Sequence, residues 1–183
     1  MKKMNIGLVG AGFMGKAHMV AFSNMPKLFT DAPFIPVFKT VCDIVPEIAE
    51  DFKERYGFEK ACTDWMDIIN DPEIDIVSVC TPNNQHAAVS IAALKAGKHV
   101  LCEKPMATKL KDCQMMVDTA EQMSKKLMIG QNQRFAKAHA EAKKLIERGD
   151  IGSVLTFKTT FGHGGPETWS VDAVSYTHLR AHE

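Results

Sequence analysis

Apolar residues change their spacing repeatedly along the first 130 residues, and the change predicts strands separated by helices. Val45, Ile48, Ala49, Phe52 and Tyr56 lie at positions i, i+3, i+4, i+7 and i+11, which places them on one face of a helix. Short apolar runs, several rich in β-branched residues, predict strands over residues 4–9, 37–42, 60–63, 74–80, 99–102 and 127–130. Strands that alternate with helices indicate an α/β fold, a doubly wound parallel sheet of the Rossmann type.

Two connections in this region have specific predictions. The first helix is expected over residues 13–24, followed by a long connection, residues 25–36, that contains three prolines. After the fifth strand, Thr108 is expected to cap a helix. The face that this helix buries is predicted to carry Leu110, Cys113, Val117 and Ala120.

The pattern changes after residue 134. A helix marked by Phe135 and Ile146 should end at Gly149, and residues 153–161 then alternate with a period of two. This alternation predicts a half-buried strand that opens a different sheet. We therefore expect a first, complete domain over residues 1–133 and an incomplete second α/β domain over residues 134–173.

Composition excludes several functional classes. The chain of 183 residues carries 22 basic and 22 acidic side chains, so no strong field attracts nucleic acid or an anionic membrane. No apolar run approaches the length that spans a bilayer. Five cysteines without a C-x-x-C spacing indicate buried free thiols in a reducing cytoplasm. No His, Cys and carboxylate cluster has the spacing of a metal site.

The stretch "GLVGAGFMGKAH" contains a G-x-G-x-x-G directly after a predicted strand and at the start of a predicted helix. Gly10 permits the tight turn, Gly12 lets the backbone approach a pyrophosphate, and Gly15 lets the helix pack on the strand. Phe13 and Met14 lie between these glycines. The alternative is a plain structural turn, but the context favours a dinucleotide site at the helix N-terminus.

Asp43 ends the second predicted strand, where a carboxylate accepts hydrogen bonds from the ribose hydroxyls of a dinucleotide. Its charge would repel a 2′-phosphate, so NAD is favoured over NADP. The alternative is that Asp43 caps the helix that follows.

Further polar clusters follow other predicted strands, and ligands of open parallel sheets bind at the carboxyl ends of strands. Glu103, Lys104 and Pro105 follow the fifth strand. The remaining cofactor-binding candidates follow the fourth and sixth strands and are Thr81, Pro82, Asn83, His86, Gln131 and Arg134. For His86, ligand binding and simple helix capping are both open, whereas His18 is expected to serve packing.

Lys104 is the candidate catalytic residue, because oxidation of an alcohol requires a base for the hydroxyl proton. Desolvation and a positive nicotinamide ring nearby would lower its pKa from the ordinary 10.4 or so. Glu103 would orient the lysine or bind cofactor, and Pro105 would direct the ammonium inward. The alternative is a loop lysine that faces water.

The chain resembles the glucose–fructose oxidoreductase/inositol dehydrogenase (Gfo/Idh/MocA) family over roughly residues 3–172. The motifs that carry the resemblance are "GLVGAGFMGKAH", "VCDI", "TPNNQH", "AGKHVLCEKP" and "GQNQRF". The resemblance implies NAD(P)-dependent oxidation of a sugar, cyclitol or related polyol by a homo-oligomer. It implies that Lys104 contacts substrate and nicotinamide, and that the glycine turn, Asp43, Thr81, Asn83 and His86 contact cofactor.

The chain departs from that family near its end. The family has roughly twice this length and a second-domain Asp-x-x-x-His motif, but Asp172 is followed by Tyr176 at the fourth position. We therefore expect a truncated, inactive chain whose residues 150–183 are poorly anchored and whose residues 174–183 are a foreign tail. Two alternatives to a polyol dehydrogenase stay open: a non-catalytic dinucleotide-binding module, and an NAD-assisted glycoside-cleaving enzyme.

Overall fold

The computed structural model describes residues 1–160, which divide into two units: Met1–Gly130 and a second that begins at Gln131. The assignment of separate functions to residues 1–133 and 134–173 stays a prediction. The tail predicted at residues 174–183 lies outside the described residues.

The first unit contains one sheet of six parallel strands in the order β3-β2-β1-β4-β5-β6. This order reverses between β1 and β4, as in dinucleotide-binding folds, and it confirms the predicted doubly wound sheet. The strands are β1 Lys2–Val9, β2 Phe34–Cys42, β3 Lys60–Cys62, β4 Ile76–Val79, β5 His99–Cys102 and β6 Leu127–Ile129.

Helices join the successive strands. They are α1 Phe13–Leu28, α2 Pro46–Tyr56, α3 Met66–Asn70, α4 His86–Lys95 and α5 Leu110–Gln122. Helix α2 shows how the sequence sets such an element. Pro46 begins it, where the missing N–H costs no intrahelical bond, and Gly57 ends it at φ +74° with its N–H bonded to the Lys53 carbonyl.

Two hydrophobic clusters fill the core, and alternate residues of β1 belong to different clusters. Val9 packs with Val77, Leu94 and Met116, whereas Ile6 and Leu8 pack with Met19 and the aromatic group around Phe52. The Phe52 ring centroid lies 4.4 Å from that of Tyr56. Because side chains of a strand point alternately to its two faces, both faces of the sheet are covered.

The connection predicted over residues 25–36 is wrong at both ends. Helix α1 continues to Leu28 and contains Pro26, and β2 already begins at Phe34. Pro26 lies in the last turn of α1, so the helix ends only two residues after it. Pro36 pairs with Met4 in a part of β2 that has a single partner strand, where proline's missing N–H is tolerated.

The predicted face of α5 is confirmed at Ala120, which is buried in the core, and wrong at Leu110. Thr108 makes no capping bond within the described residues, because the helix begins at Leu110 with Lys109 in the cap position. Leu110 is 85% exposed, whereas Met116 is completely buried in the core. Apolar residues occur on two sides of this helix, so their spacing alone did not select the side that packs.

The second unit begins with a 3₁₀ turn, Asn132–Phe135, followed by helix α6, Lys137–Glu147. The predicted helix is confirmed, except that Phe135 belongs to the 3₁₀ turn. The strand predicted over residues 153–161 is wrong for its described part, since residues 153–160 have no regular secondary structure and Leu155 is 92% exposed. A period-two pattern forms a strand only where a neighbouring strand supplies hydrogen bonds, and the described residues supply none.

Within residues 1–160, none of the helices combines the length and apolar character that crossing a bilayer requires.

Candidate functional site

Three polar turns lie at the same edge of the sheet, immediately after β1, β4 and β5. Each of these strands continues its ladder by one backbone hydrogen bond into the turn. The bonds are Gly10 N to Cys42 O at 2.9 Å, Cys80 N to Val9 O at 2.8 Å and Glu103 N to Val79 O at 2.9 Å. Because the strands are parallel, all three turns occupy the carboxyl edge, where ligands of such folds bind.

The three glycines of the first turn differ in the space around them. Gly10 has φ +97°, and an added β-carbon would lie 2.5 Å from the Cys80 carbonyl oxygen. A β-carbon on Gly15 would collide with the Gly10 carbonyl oxygen. Gly12 has open space within 4 Å of an added β-carbon among the described residues. Gly10 and Gly15 therefore serve the close packing of backbone, while Gly12 leaves room for a ligand.

Helix α1 begins at this open space. Gly12 is its N-cap residue, and Phe13 and Met14 are its first residues, with Phe13 63% exposed. The first backbone N–H groups of a helix lack intrahelical partners and attract anions. The turn therefore offers a phosphate group amide donors and an uncrowded approach.

Asp43 joins the glycine turn to the end of β2. One carboxylate oxygen accepts from the Ala11 N–H at 2.9 Å, and the other accepts from the Val45 N–H at 3.1 Å. Val45 itself is the N-cap residue of α2, so Asp43 holds the preceding turn and does not cap the helix. Each carboxylate oxygen retains a further lone pair for a hydroxyl donor.

The turn after β4 runs through Thr81 and Pro82 into a 3₁₀ turn, Asn83–Gln85. The Thr81 hydroxyl oxygen is buried without a hydrogen-bond partner among the described residues. Buried polar atoms are almost always bonded, so this hydroxyl suits a bound polar ligand.

His86 connects this turn to the one after β5. Its Nε2 lies 2.9 Å from the Thr81 carbonyl oxygen, and its Nδ1 lies 2.7 Å from the Pro105 carbonyl oxygen. The residue is only 1% exposed, and both nitrogens face carbonyl groups of the protein. The geometry thus gives His86 the role of joining two turns, and its predicted contact with a cofactor stays a prediction.

The turn after β5 combines a buried carboxylate with an exposed lysine. Glu103 is 5% exposed, and one of its oxygens accepts from the Lys104 backbone N–H at 3.1 Å. Glu103 therefore holds the backbone of Lys104, and the Lys104–Pro105 peptide bond is cis. The Lys104 side chain is exposed, so the described residues do not bury its ammonium group as predicted. Its role as a base stays a prediction.

His18 was expected to serve packing, and its side-chain hydrogen bonds were not predicted. Its Nε2 lies 3.0 Å from the other oxygen of Glu103, and its Nδ1 lies 2.7 Å from the Ser78 hydroxyl. It follows Gly15 by three residues and so shares the face of α1 that packs on the sheet. The three-residue spacing from Gly15 was the signal in the sequence that His18 faces the sheet.

Hydrogen bonds keep Glu103 ionised in spite of its environment. Burial acts to raise the pKa of this carboxyl group. The hydrogen bonds from His18 and from the Lys104 N–H outweigh burial and hold the pKa below the ordinary value of 4.5. The carboxylate thus joins α1 and β5 as an anion.

The other two predicted residues, Gln131 and Arg134, belong to the second unit. Both are exposed, and the Arg134 guanidinium lies 5.9 Å from the Phe135 ring centroid. Their predicted contact with a cofactor stays a prediction. Among residues 1–160, no group of three or more His, Cys, Asp or Glu residues is arranged to hold a metal ion.

Comparison with known proteins agrees with this geometry. The sequence profile of the Gfo/Idh/MocA oxidoreductase family, described as having an NAD-binding Rossmann fold, matches residues 4–131. Levoglucosan dehydrogenase from Pseudarthrobacter phenanthrenivorans is 43% identical over 172 residues, which cover 94% of this chain and 43% of that protein. Inositol 2-dehydrogenase from Salmonella typhimurium is 34% identical over 154 residues, which cover 83% of this chain and 44% of the relative.

Solved structures show the same similarity. A levoglucosan dehydrogenase in complex with NADH superposes with a TM-score of 0.79 at 44% identity, covering 82% of this chain and 41% of that one. A scyllo-inositol dehydrogenase with bound NAD(H) and scyllo-inositol gives a TM-score of 0.72 at 28% identity, covering 82% and 43%. The chain thus spans less than half the length of the relatives it matches. The profile match, the strand order and the glycine turn together show that the chain belongs to the Gfo/Idh/MocA family of oxidoreductases.

Proposed function

We propose that this chain is the NAD-binding portion of a dehydrogenase that removes hydride from a hydroxyl-bearing carbon of a sugar, cyclitol or related polyol. The observation that carries the proposal is the meeting of the glycine turn and the Glu103-Lys104-Pro105 turn at one sheet edge, with Asp43 bonded to the glycine turn. The names of its relatives, levoglucosan dehydrogenase and inositol 2-dehydrogenase, support the substrate class.

The residues of this edge fit NAD. The open space at Gly12 and the start of α1 suit the pyrophosphate, and Asp43 suits the ribose hydroxyls of the adenosine half. The unsatisfied Thr81 hydroxyl offers one more polar contact. The carboxylate of Asp43 disfavours a 2′-phosphate by charge repulsion, so NAD is preferred to NADP.

The chemistry at the other end of the site depends on Lys104. A bound oxidised nicotinamide would supply the hydride acceptor. The neutral amine of Lys104 takes the proton of the substrate hydroxyl and becomes an ammonium. Glu103 fixes the backbone N–H of Lys104, and His86 fixes the next carbonyl, that of Pro105. These two hydrogen bonds hold the backbone of the turn from which the Lys104 side chain extends.

NADH fluorescence tests cofactor binding with a variant that affects the ligand more than the fold. Gly12→Ala adds a methyl group where the protein has open space, so the change in unfolding free energy should stay below about 1 kcal/mol. The same methyl group should weaken NADH binding at least about tenfold if a pyrophosphate occupies that space. Equal NADH affinity of the two proteins would contradict the proposed site.

The position of Lys104 is tested by comparing NAD⁺ with NADH. In its protonated form, Lys104 near the oxidised ring would disfavour NAD⁺, since two unit charges 4 Å apart in water repel by about 1 kcal/mol, or about fivefold in affinity. Lys104→Ala should therefore shift the ratio of the two affinities toward NAD⁺ by about that factor. Lys109→Ala, which removes another exposed lysine close by in the chain, is the matched control. An unchanged ratio in Lys104→Ala would place the lysine away from the ring.

The preference for NAD is tested by Asp43→Asn, which retains the side-chain shape and removes the charge. The ratio of NAD to NADP affinity should fall about fivefold, the value of about 1 kcal/mol of charge repulsion. An unchanged ratio would leave Asp43 with its structural bonds to Ala11 and Val45 only.

We also infer the arrangement of the whole protein and its compartment. Residues 1–133 would form the cofactor domain, and residues 134–173 would begin the domain that supplies substrate contacts and assembly into a homo-oligomer. All five cysteines are free thiols, which fits a reducing cytoplasm.

A further inference from the structure

Two thiols lie side by side at the carboxyl ends of β2 and β3. Cys42 and Cys62 are partners in the parallel register of these strands. Neighbouring strands are about 4.8 Å apart, a spacing that lies within the range of Cα separations of disulfides. Cys42 belongs to the core cluster on one face of the sheet, and Cys62 packs against the same cluster. Their side chains therefore point to the same face.

The two thiols differ in access to solvent. Cys42 is 3% exposed, whereas Cys62 is half-buried and lines a surface cavity of about 460 Å³ together with Lys60, Asp67 and Asn70. A small polar oxidant can enter through this cavity and meet Cys62 first. Cys42 lies behind it as a second thiol.

The two thiols differ in acidity as well. The neighbouring Cys42 thiol lowers the pKa of Cys62, against burial and the nearby Asp67 and Asp64, which raise it; the Cys62 thiol itself donates to the Asp64 carbonyl oxygen at 3.4 Å. The neighbouring Cys62 thiol, together with burial, raises the pKa of Cys42. The accessible thiol is thus the better nucleophile, since the thiolate is the reactive form.

We propose that Cys42 and Cys62 are a redox pair that a hydroperoxide such as hydrogen peroxide converts into a disulfide. The Cys62 thiolate attacks one peroxide oxygen, the O–O bond breaks, and the leaving hydroxide takes a proton to become water. The Cys42 sulfur then attacks the sulfenic sulfur of Cys62 and displaces its hydroxyl group, which leaves as a second water with the Cys42 proton. Two thiols lose two electrons in total, and the peroxide gains them.

The pair adjoins the residue assigned to the adenosine ribose. Asp43 directly follows Cys42, and its backbone N–H donates to the Cys62 carbonyl oxygen at 3.2 Å. A disulfide would fix the geometry of β2 and β3 directly beside Asp43 and would shift the Asp43 carboxylate relative to the Ala11 N–H that it accepts from. This consequence rests on the proposed function, whereas formation of the disulfide does not.

Mass spectrometry of the full chain tests the pair. After treatment with equimolar hydrogen peroxide, the intact protein should lose two hydrogens, and a digest should contain the peptides of Cys42 and Cys62 linked. Cys42→Ser should stop at a sulfenic acid on Cys62 that dimedone traps, and Cys62→Ser should keep its remaining thiols. Cys113→Ser, which removes a half-buried thiol of α5, is the matched control and should oxidise like the wild type. A disulfide between other cysteines, or a wild type that stops at the sulfenic acid, would overturn the proposal.

Titration with NADH separates the two claims. Oxidation should weaken NADH binding about tenfold, the value of one charged hydrogen bond, and dithiothreitol should restore it. Equal affinity of the oxidised and reduced chains would overturn the coupling to the cofactor site. A reduced chain that fails to bind NADH would overturn the proposed function, while the mass measurement would still decide the redox pair.

Discussion

Gly130, directly after β6, has no room for a side chain because a buried carboxylate lies against it. A β-carbon there would lie 2.6 Å from Oε1 and 3.1 Å from Cδ of Glu103. Ordinary C···O contacts begin near about 3.3 Å, so Gly130→Ala must displace the carboxylate by about 0.7 Å. That oxygen is the one that faces His18 Nε2 at 3.0 Å, so the displacement stretches or breaks this bond.

The expected loss follows from the bond that is stretched. A hydrogen bond to a charged group contributes about 1.5–3 kcal/mol, while replacing glycine by alanine restores about 0.4–1 kcal/mol through the unfolded chain. The net fall in unfolding free energy should therefore be about 0.5–2.6 kcal/mol. The backbone at Gly130 lies outside the left-handed region, so conformational strain adds little to this sum.

Urea unfolding followed by circular dichroism measures the change, and a double mutant isolates its cause. In a Glu103→Ala background the colliding carboxylate is gone, so the same Gly130→Ala substitution should cost nothing or should stabilise slightly. The interaction between the two substitutions should then be about 1.5–3 kcal/mol. An equal cost of Gly130→Ala in both backgrounds would refute the reasoning.

Three further predictions follow from burial and charge. The pKa of Glu103 is lowered in the folded chain, so the contribution of its ionised carboxylate to the free energy of unfolding is complete above pH 4.5 and is lost as the pH falls through the lower folded pKa. The stability difference between wild type and Glu103→Gln should therefore shrink in acid, as measured by urea midpoints. Met116→Ala should lower the free energy of unfolding by about 2–5 kcal/mol, whereas Leu110→Ala should lower it by less than about 0.5 kcal/mol. Similar shifts in melting temperature for both variants would mean that Leu110 also lies on the buried side of α5. Burial lowers the pKa of Lys98, so between its folded pKa and 10.5 the unfolded chain holds more protons than the folded chain, and the free energy of unfolding should rise with pH. This rise should be absent from Lys98→Met, and parallel stability–pH curves of the two proteins would contradict it.

The parts of the fold that the sequence predicted correctly depend on local patterns. A run such as "IDIVSVC" is apolar on both faces, and this composition suits only a strand buried in a parallel sheet. The glycine turn was also predicted correctly, because its motif lies between a predicted strand and a predicted helix. In the structure Gly10 and Gly15 each face backbone atoms at distances that exclude any side chain.

The predictions were wrong where the structure of a segment depends on residues far away in the sequence. The side of α5 that packs depends on α4 and the sheet, and the strand expected after residue 153 depends on partner strands that the described residues lack. His18 shows the same limit at the candidate site, since its partners Ser78 and Glu103 lie 60 and 85 residues away in the sequence. Residue spacing in one helix indicated its face but not the carboxylate that it meets.

The strand order has a consequence for synthesis on the ribosome. β1 lies in the middle of the sheet, between β2 and β4, and Ile6 and Leu8 are completely buried in the finished fold. During translation β2 and β3 emerge before β4, so one side of β1 has no partner strand until residues 76–79 leave the exit tunnel. The nascent chain therefore presents an open apolar edge for more than 60 codons after β1 itself has been made, and association with other chains or capture by a chaperone is expected in this interval.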